Sequence, residues 1–258
     1  MRRLQSLLAL LIIIFPVIVY SFAGRFYLGI DGGASIATIQ GQNPTITYYD
    51  NQIIDVYPLN GRRNRTGGMW GLNIGYEYIE AGLLKPTIAL GLGAYGTPGH
   101  FHYTGQVLET TTGSATETLY NYYFQLASYR LMAETKFSWV LKYGITPLLD
   151  LGIGAAWNSL SDDSESVAVA NTEGYVTLPP FQSQTNVNLS YQIGIGLGYS
   201  FNFKEVGNTF QHDLIAIEYR YVSLGDNSFG TRGAEYPYSL QLGNINTQEI
   251  FLSLMHVF

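Results

Sequence analysis

A membrane-spanning, antiparallel up-and-down β-barrel of eight strands is the fold class that the sequence predicts, and three features predict it. A hydrophobic period of two recurs in eight segments, apolar on one phase and rich in Gly, Ser, Asn, Gln or charge on the other. The connections between these segments alternate between long and short. Charged residues make up only 12% of the 258, about half the share in an ordinary soluble domain, and 29 Gly, 21 Tyr and 13 Phe fill their place. Beyond residue 23 no stretch is continuously apolar for long enough to be a membrane helix. An open sheet would leave unpaired backbone groups in hydrocarbon, so a spanning chain of this kind must close on itself.

The N-terminus comes first. Arg2 and Arg3 precede an uncharged run from Leu4 to Gly24, with an apolar stretch from Leu7 to Tyr20 that contains Pro16. Together with the small residues Ser21 and Ala23 this predicts a cleavable secretory signal over residues 1–23 and a barrel domain over 24–258. The rival is a retained anchor, since about 20 apolar residues can span a bilayer; Pro16 and the Ser21-Phe22-Ala23 site favour cleavage before Gly24. The paired arginines lack a twin-arginine pattern, so the general export route is expected. Cleavage leaves 11 basic and 19 acidic side chains, a net charge of −8 over 235 residues, which makes nucleic acid a poor partner. With no cysteine, neither disulfides nor thiolate chemistry can operate.

The eight segments follow in order. Segment one sets Phe26, Leu28 and Ile30 against Tyr27, Gly29, Asp31 and Gly33; segment two sets Trp70, Leu72, Ile74, Tyr76 and Tyr78 against Gly71, Asn73, Gly75 and Glu77. Segment three has Ile88, Leu90 and Leu92 against Thr87, Ala89, Gly91 and Gly93. In segment four, Tyr129, Leu131, Ala133, Thr135 and Phe137 oppose Arg130, Met132, Glu134 and Lys136. Segment five runs Leu149, Leu151, Ile153, Ala155 and Trp157 against Asp150, Gly152, Gly154 and Ala156. Segment six is the longest, alternating from Asn186 to Phe203 without a break. Segment seven opposes Ile215, Ile217, Tyr219 and Tyr221 to Ala216, Glu218, Arg220 and Val222, and segment eight opposes Ile250, Leu252, Leu254, His256 and Phe258 to Glu249, Phe251, Ser253 and Met255.

Alternation alone also suits a soluble sandwich, and the connections separate the two. Those after segments two, four and six are short, at Glu80 to Lys85, Val140 to Thr146 and Lys204 to Gln211, whereas the others run to the order of 20 to 30 residues. Pro86 and Pro147 are each expected to open a strand, where proline harms the ladder least. Aromatics fall into two girdles: Trp70, Tyr122, Phe124, Trp157 and Tyr221 at one end, and Phe26, Tyr78, Phe137, Trp139, Phe201, Phe203 and Phe258 at the other.

On these residues the sequence resembles the small eight-stranded outer-membrane barrels of the OmpA and opacity-protein type. The terminal run from Ile250 to Phe258 looks like the final strand whose aromatic end, Phe258, the barrel-assembly machinery recognises. His256 stands where that pattern prefers an aromatic or aliphatic residue. The resemblance implies a bacterial outer-membrane location, lipid and lipopolysaccharide as surroundings, and a non-enzymatic surface protein, structural or adhesive through its loops, with a host surface ligand as a candidate partner. A monomer is expected, without a peptidoglycan-binding domain after Phe258.

Within an eight-stranded barrel there is room for side chains and little else. The inner phase carries Asp31, Glu77, Glu134, Asp150, Glu218 and Glu249 facing Arg130, Lys136 and Arg220, with Lys85 at the rim. A paired, lumen-filling network is the plain reading; a narrow hydrated path for ions or small solutes is the alternative. A lipid A-modifying enzyme is a third reading, for which the sequence offers little: Gly-x-Ser-x-Gly is absent and no Ser-His pair stands out. His100 and His102 form the one H-x-H pair, but no acidic or Cys ligand lies near them in sequence, so neither metal nor cofactor is expected. Arg62, Arg63 and Arg65, just before Trp70, are candidates for lipopolysaccharide phosphate, against the plain alternative of a solvated turn. The acids Asp162, Asp163, Glu165 and Glu173 make one loop acidic. Tyrosines at 48, 49, 120, 122, 123, 236 and 238 suit either an adhesive surface or the packing of loops on one another. Residues His100 to Glu109 and Glu117 to Phe124 are expected to continue segments three and four beyond the membrane as a hairpin.

Overall fold

A computed structural model describes residues 24–40, 45–48, 53–58, 65–78, 86–97, 101–111, 117–167, 181–206, 209–231 and 237–258. Eleven strands occupy them: β1 (Gly24–Gln40), β2 (Thr45–Tyr48), β3 (Ile53–Val56), β4 (Arg65–Tyr78), β5 (Thr87–Gly96), β6 (Phe101–Thr111), β7 (Glu117–Ser138), β8 (Ile145–Val167), β9 (Gln184–Val206), β10 (Thr209–Thr231) and β11 (Ser239–Val257). The signal segment, with the cleavage site predicted at its end, lies outside the described residues.

Strands β1, β4, β5, β7, β8, β9, β10 and β11 pair antiparallel in that order, and β11 returns to β1, Tyr27 opposite Val257 and Ile30 opposite Leu254. The ring of eight is closed. Both β5 and β6 pair with β7, β5 with its second half (Ile88 opposite Phe137) and β6 with its first (Tyr103 opposite Phe124). They are two parts of one stave, interrupted after Gly96, where Thr97 N–H still donates to Ser128 O at 3.2 Å. The β2–β3 hairpin adds to the other edge of β6, Val56 opposite Leu108. The long connections after segments one and three are thus largely β-structure themselves.

Strands β8, β9 and β10 have 23 residues each, about twice the 9–11 that cross a bilayer. The alternation divides them accordingly. In the half nearest the chain's short turns the outward phase is aliphatic or aromatic and exposed: Leu28 and Ile30 on β1, Leu72 and Ile74 on β4, Ile193, Ile195 and Leu197 on β9, Leu252 and Leu254 on β11. Such a surface is stable only against hydrocarbon. Farther along the same strands the faces exchange character, so that Phe101, Phe124, Leu126, Leu160, Phe229, Leu240 and Leu242 are buried inside while His102, Gln106, Asn121 and Ser164 face out. One end of the tube is built to meet lipid and the other to meet water.

Bulges between β10 and β11 change which parity faces inward there, whereas β7 keeps its even residues inside from Tyr120 to Ser138. Between β10 and β11 the register slips from Ser223 opposite Asn246 to Asp226 opposite Asn244, and Gly225 (φ 76°) and Gly243 (φ 74°) take the left-handed backbone there, which costs glycine least. Before the slip Val222 and Leu224 point inward; after it Asn227 and Phe229 do, and on β11 Ile245 gives way to Leu242 and Leu240.

The aromatic girdles need one correction. Trp70 and Tyr129 are exposed on the outward phase and border Gly96 and Trp157 in one paired row. Tyr122 and Phe124, expected in the same girdle, point into the tube and are buried, because they lie where the interior has become the apolar side. At the turn end Phe26 meets Tyr76 edge-on at 5.4 Å and Tyr199 stacks on Phe201 at 6.1 Å. The β7–β8 turn closes through a short helical turn, Lys142–Gly144, with Leu141 N–H donating to Ile145 O at 2.7 Å. Pro147 is therefore the third residue of β8 rather than the first, and β9 and β10 run on to Val206 opposite Thr209, narrower than the Lys204 to Gln211 connection expected.

Candidate functional site

The nine charged residues assigned to the inner phase come from six strands: Asp31 from β1, Glu77 from β4, Arg130, Glu134 and Lys136 from β7, Asp150 from β8, Glu218 and Arg220 from β10, and Glu249 from β11. All nine are buried. The Arg130 guanidinium grips Glu249 with two bonds of 2.6 and 2.9 Å, and Lys136 Nζ lies 3.5 Å from Glu218. Because β7 adjoins neither β11 nor β10, these pairs cross the lumen. Arg220 Nη2 lies 2.8 Å from Asp150 Oδ2, and its guanidinium is sandwiched between the Tyr95 and Phe251 rings, 4.6 and 4.4 Å from their centroids. Gln192 Nε2 donates to both Glu134 Oε1 (2.7 Å) and Asp150 Oδ2 (3.1 Å), holding two carboxylates with one amide. Asn73 Nδ2 donates to Asp31 at 3.1 Å.

Sequence reasoning missed two members. Arg25 is buried on the same phase as Asp31, and His212 is buried with Nε2 3.9 Å from Glu77. Extending the alternation of segment one by a single residue would have found Arg25; His212 falls outside the run that defined segment seven. Lys85 lies outside the described residues.

Apolar layers flank the central ion pairs on both sides, with Arg25, Glu77 and His212 at the turn-end layer itself. Tyr27, Leu148, Leu214, Met255 and Val257 pack at the turn end. At the other end comes first a hydrogen-bonded tier, with Ser128 donating to Asn158 (2.8 Å), Asn158 to Leu224 O (2.8 Å) and Ser190 to Ser223 O (2.6 Å), and then the large apolar cluster of the extension. There Tyr103 stacks on Phe124 at 4.8 Å, and Phe124 meets Phe229 edge-on at 5.3 Å. Tyr57 donates to Glu165 Oε1 at 2.7 Å. Burial, and then the Glu109 carboxylate, push the Tyr120 phenol up to about 12, so it remains a donor to Glu109 at neutral pH.

The remaining sequence candidates separate. His102 is on the outer face, its Nδ1 2.6 Å from Tyr123 Oη and its ring stacked on that tyrosine; His100 lies outside the described residues. Among the described residues no cluster of three or more His, Cys, Asp or Glu is placed to hold a metal. Arg62, Arg63 and Glu173 also fall outside the description; Arg65 opens β4 opposite Ala37, and its side chain, like those of Asp162 and Asp163, is not described. His256 faces outward with Nδ1 2.5 Å from Asp213 Oδ1, and Asn202 donates to the same carboxylate at 2.6 Å. A polar partner on the neighbouring strand thus accommodates His256 where a greasy residue was expected.

No family model and no curated protein matches the chain. Among solved structures it is similar to Neisserial surface protein A (NspA), at 13% identity over 90% of this chain and 97% of that one, with a TM-score of 0.40. It is also similar to the outer membrane protein OprG from Pseudomonas aeruginosa (11% identity, 92% and 98%, TM-score 0.44). A third is Ail, the attachment invasion locus protein of Yersinia pestis, in complex with the heparin analogue sucrose octasulfate (13%, 91% and 99%, TM-score 0.38). At these identities the likeness concerns the fold.

Proposed function

We propose that this small eight-stranded membrane barrel is a sealed, non-enzymatic surface protein of a bacterial outer membrane, whose β-extension meets the environment, a host surface or neighbouring lipopolysaccharide. The observation that carries this reading is the exchange of faces along the strands: the sheet continues past its lipid-facing belt as a tube with a dry aromatic core of its own. Membrane anchoring alone requires no such extension. A rigid projection held by a closed sheet is a suitable platform for contact with other surfaces, because little conformational entropy is lost when a partner docks.

The lumen supports the sealed form over the channel. Ion pairs cross it from β7 to β10 and β11, and apolar layers close it above and below. Reconstituted in planar bilayers, the purified protein should therefore show no discrete conductance steps; regular single-channel steps would make the channel reading the better one. The surface role has its own test. Replacing residues 98–127 with a tight turn keeps every β5–β7 pair from Thr87 to Gly96 and removes β6 with its partner. Cells carrying this variant should lose adhesion while the barrel keeps its heat-modifiable electrophoretic mobility. Adhesion at the level of the intact protein would remove the extension from the account.

A further inference from the structure

We propose that the outward face of β6, β7 and β8 in the extension is a binding site for a neutral glycan, a reading that rests on the surface-contact function and gives it a ligand class. A cleft of about 570 Å³ is bounded there by Thr104, Gln106, Asn121, Tyr123, Ser164 and Ser166. The registers place these six as two adjacent rows of three: Thr104 opposite Tyr123 opposite Ser164, and Gln106 opposite Asn121 opposite Ser166. The volume lies within the ordinary range for small-ligand sites, roughly 300–1,000 Å³.

Each row offers what a sugar requires. Gln106 Nε2 donates to Asn121 Oδ1 at 3.5 Å, which leaves the Gln106 carbonyl as an acceptor and the Asn121 amide as a donor side by side. Sugar diols pair with such couples because every hydroxyl both gives and accepts a hydrogen bond. Tyr123 supplies an aromatic ring against which the C–H face of a pyranose can pack. That ring is held beforehand: its hydroxyl meets His102 Nδ1 at 2.6 Å and accepts from Gln125 Nε2 at 2.7 Å. Gly105, between Thr104 and Gln106, lies on the inward phase, where its bare backbone makes room for a neighbour inside the tube. A Cβ there would stand 2.3 Å from the Tyr122 ring, which crosses it on that same side.

Charge selects against the other ligand classes. None of the lining side chains is charged, and the extension turns its described carboxylates away from this face. Asp55 is 2% exposed, Glu165 accepts from Tyr57 inside the tube, and Glu109 accepts from Tyr120. Among the described residues, a phosphate, sulfate or sialic acid would meet no Lys or Arg in the lining of this cleft. An apolar ligand would have to desolvate two rows of amides and hydroxyls.

The test is binding of the full-length protein in detergent micelles to an array of immobilised neutral, sialylated and polysulfated oligosaccharides, followed by titration calorimetry. Binding to one or more neutral oligosaccharides is expected, with an affinity that changes less than about twofold between 0.05 and 0.5 M salt, as an uncharged interface requires. The double variant Gln106→Ala/Asn121→Ala should weaken it at least about tenfold with heat-modifiable mobility unchanged. Tyr123→Ala should weaken it too. Absence of neutral-glycan binding, binding confined to the charged glycans and lost in salt, or binding that survives the double variant would each overturn the proposal. If the double variant keeps the cell adhesion that removal of residues 98–127 abolishes, the glycan reading fails and the surface role stands with contacts elsewhere on the extension.

Discussion

Arg220→Ala should be among the most damaging single changes in the barrel, lowering its unfolding free energy by about 3–5 kcal/mol, the cost of stranding one member of a buried ion pair. Arg220 has no exposed surface, and its guanidinium is packed between Tyr95 and Phe251 while it neutralises Asp150. Its removal leaves Asp150 and Glu134 sharing the single amide of Gln192 with the nearest cation gone. Urea titration in micelles, followed by tryptophan fluorescence, measures the loss. Pairing the change with Asp150→Asn should restore part of it, since the stranded charge and not the missing volume dominates. A loss under about 1 kcal/mol, the ordinary effect of an arbitrary substitution, would mean that solvent screens the lumen and that the capping layers leak.

Phe124→Ala should produce a loss of similar size, about 3–5 kcal/mol by the cavity cost of a buried phenylalanine, confined to a different place. Phe124 is 1% exposed and contacts Tyr103 on β6, Phe229 on β10 and Tyr122 on its own strand. The belt half of the barrel keeps its own ladder from β1 through β11, so opening should stay local. Amide hydrogen exchange in β6 and in residues 117–126 of β7 should accelerate at least about a hundredfold, whereas exchange in residues 129–138 should be unchanged. Equal acceleration in both would show that the two halves unfold as one unit.

The lipid-facing half was legible because its signal is simple. Where one face meets hydrocarbon and the other a charged lumen, every second residue announces its side, and Asp150 or Arg220 in an otherwise aliphatic strand can face only inward. The extension was not legible in the same way. Phe124, Leu126 and Tyr129 are all apolar, yet the first two face in on the even phase and the third faces out on the odd one; a reader following greasiness alone places them together, as the girdle assignment of Tyr122 and Phe124 did. The bulges compound the difficulty. Gly225 and Gly243 move Phe229 and Leu240 to a parity that strict alternation denies them, and a lone glycine in a glycine-rich strand does not announce a bulge. The ion pairs across the lumen were readable only as a set of members, since which acid meets which base depends on stagger around the ring.

The exchange of faces also governs where the molecule rides in its bilayer. On β7 the exterior changes from Tyr129 to Gln125 within four residues, and on β8 from Trp157 to Ser159 within two. A vertical slip of one residue pair would sink hydroxyls and amides into acyl chains or lift indole and phenol rings clear of the headgroups, and either is unfavourable. Immersion depth is thus written into the side chains, and a membrane thicker or thinner than the belt has to stretch or pinch around the protein.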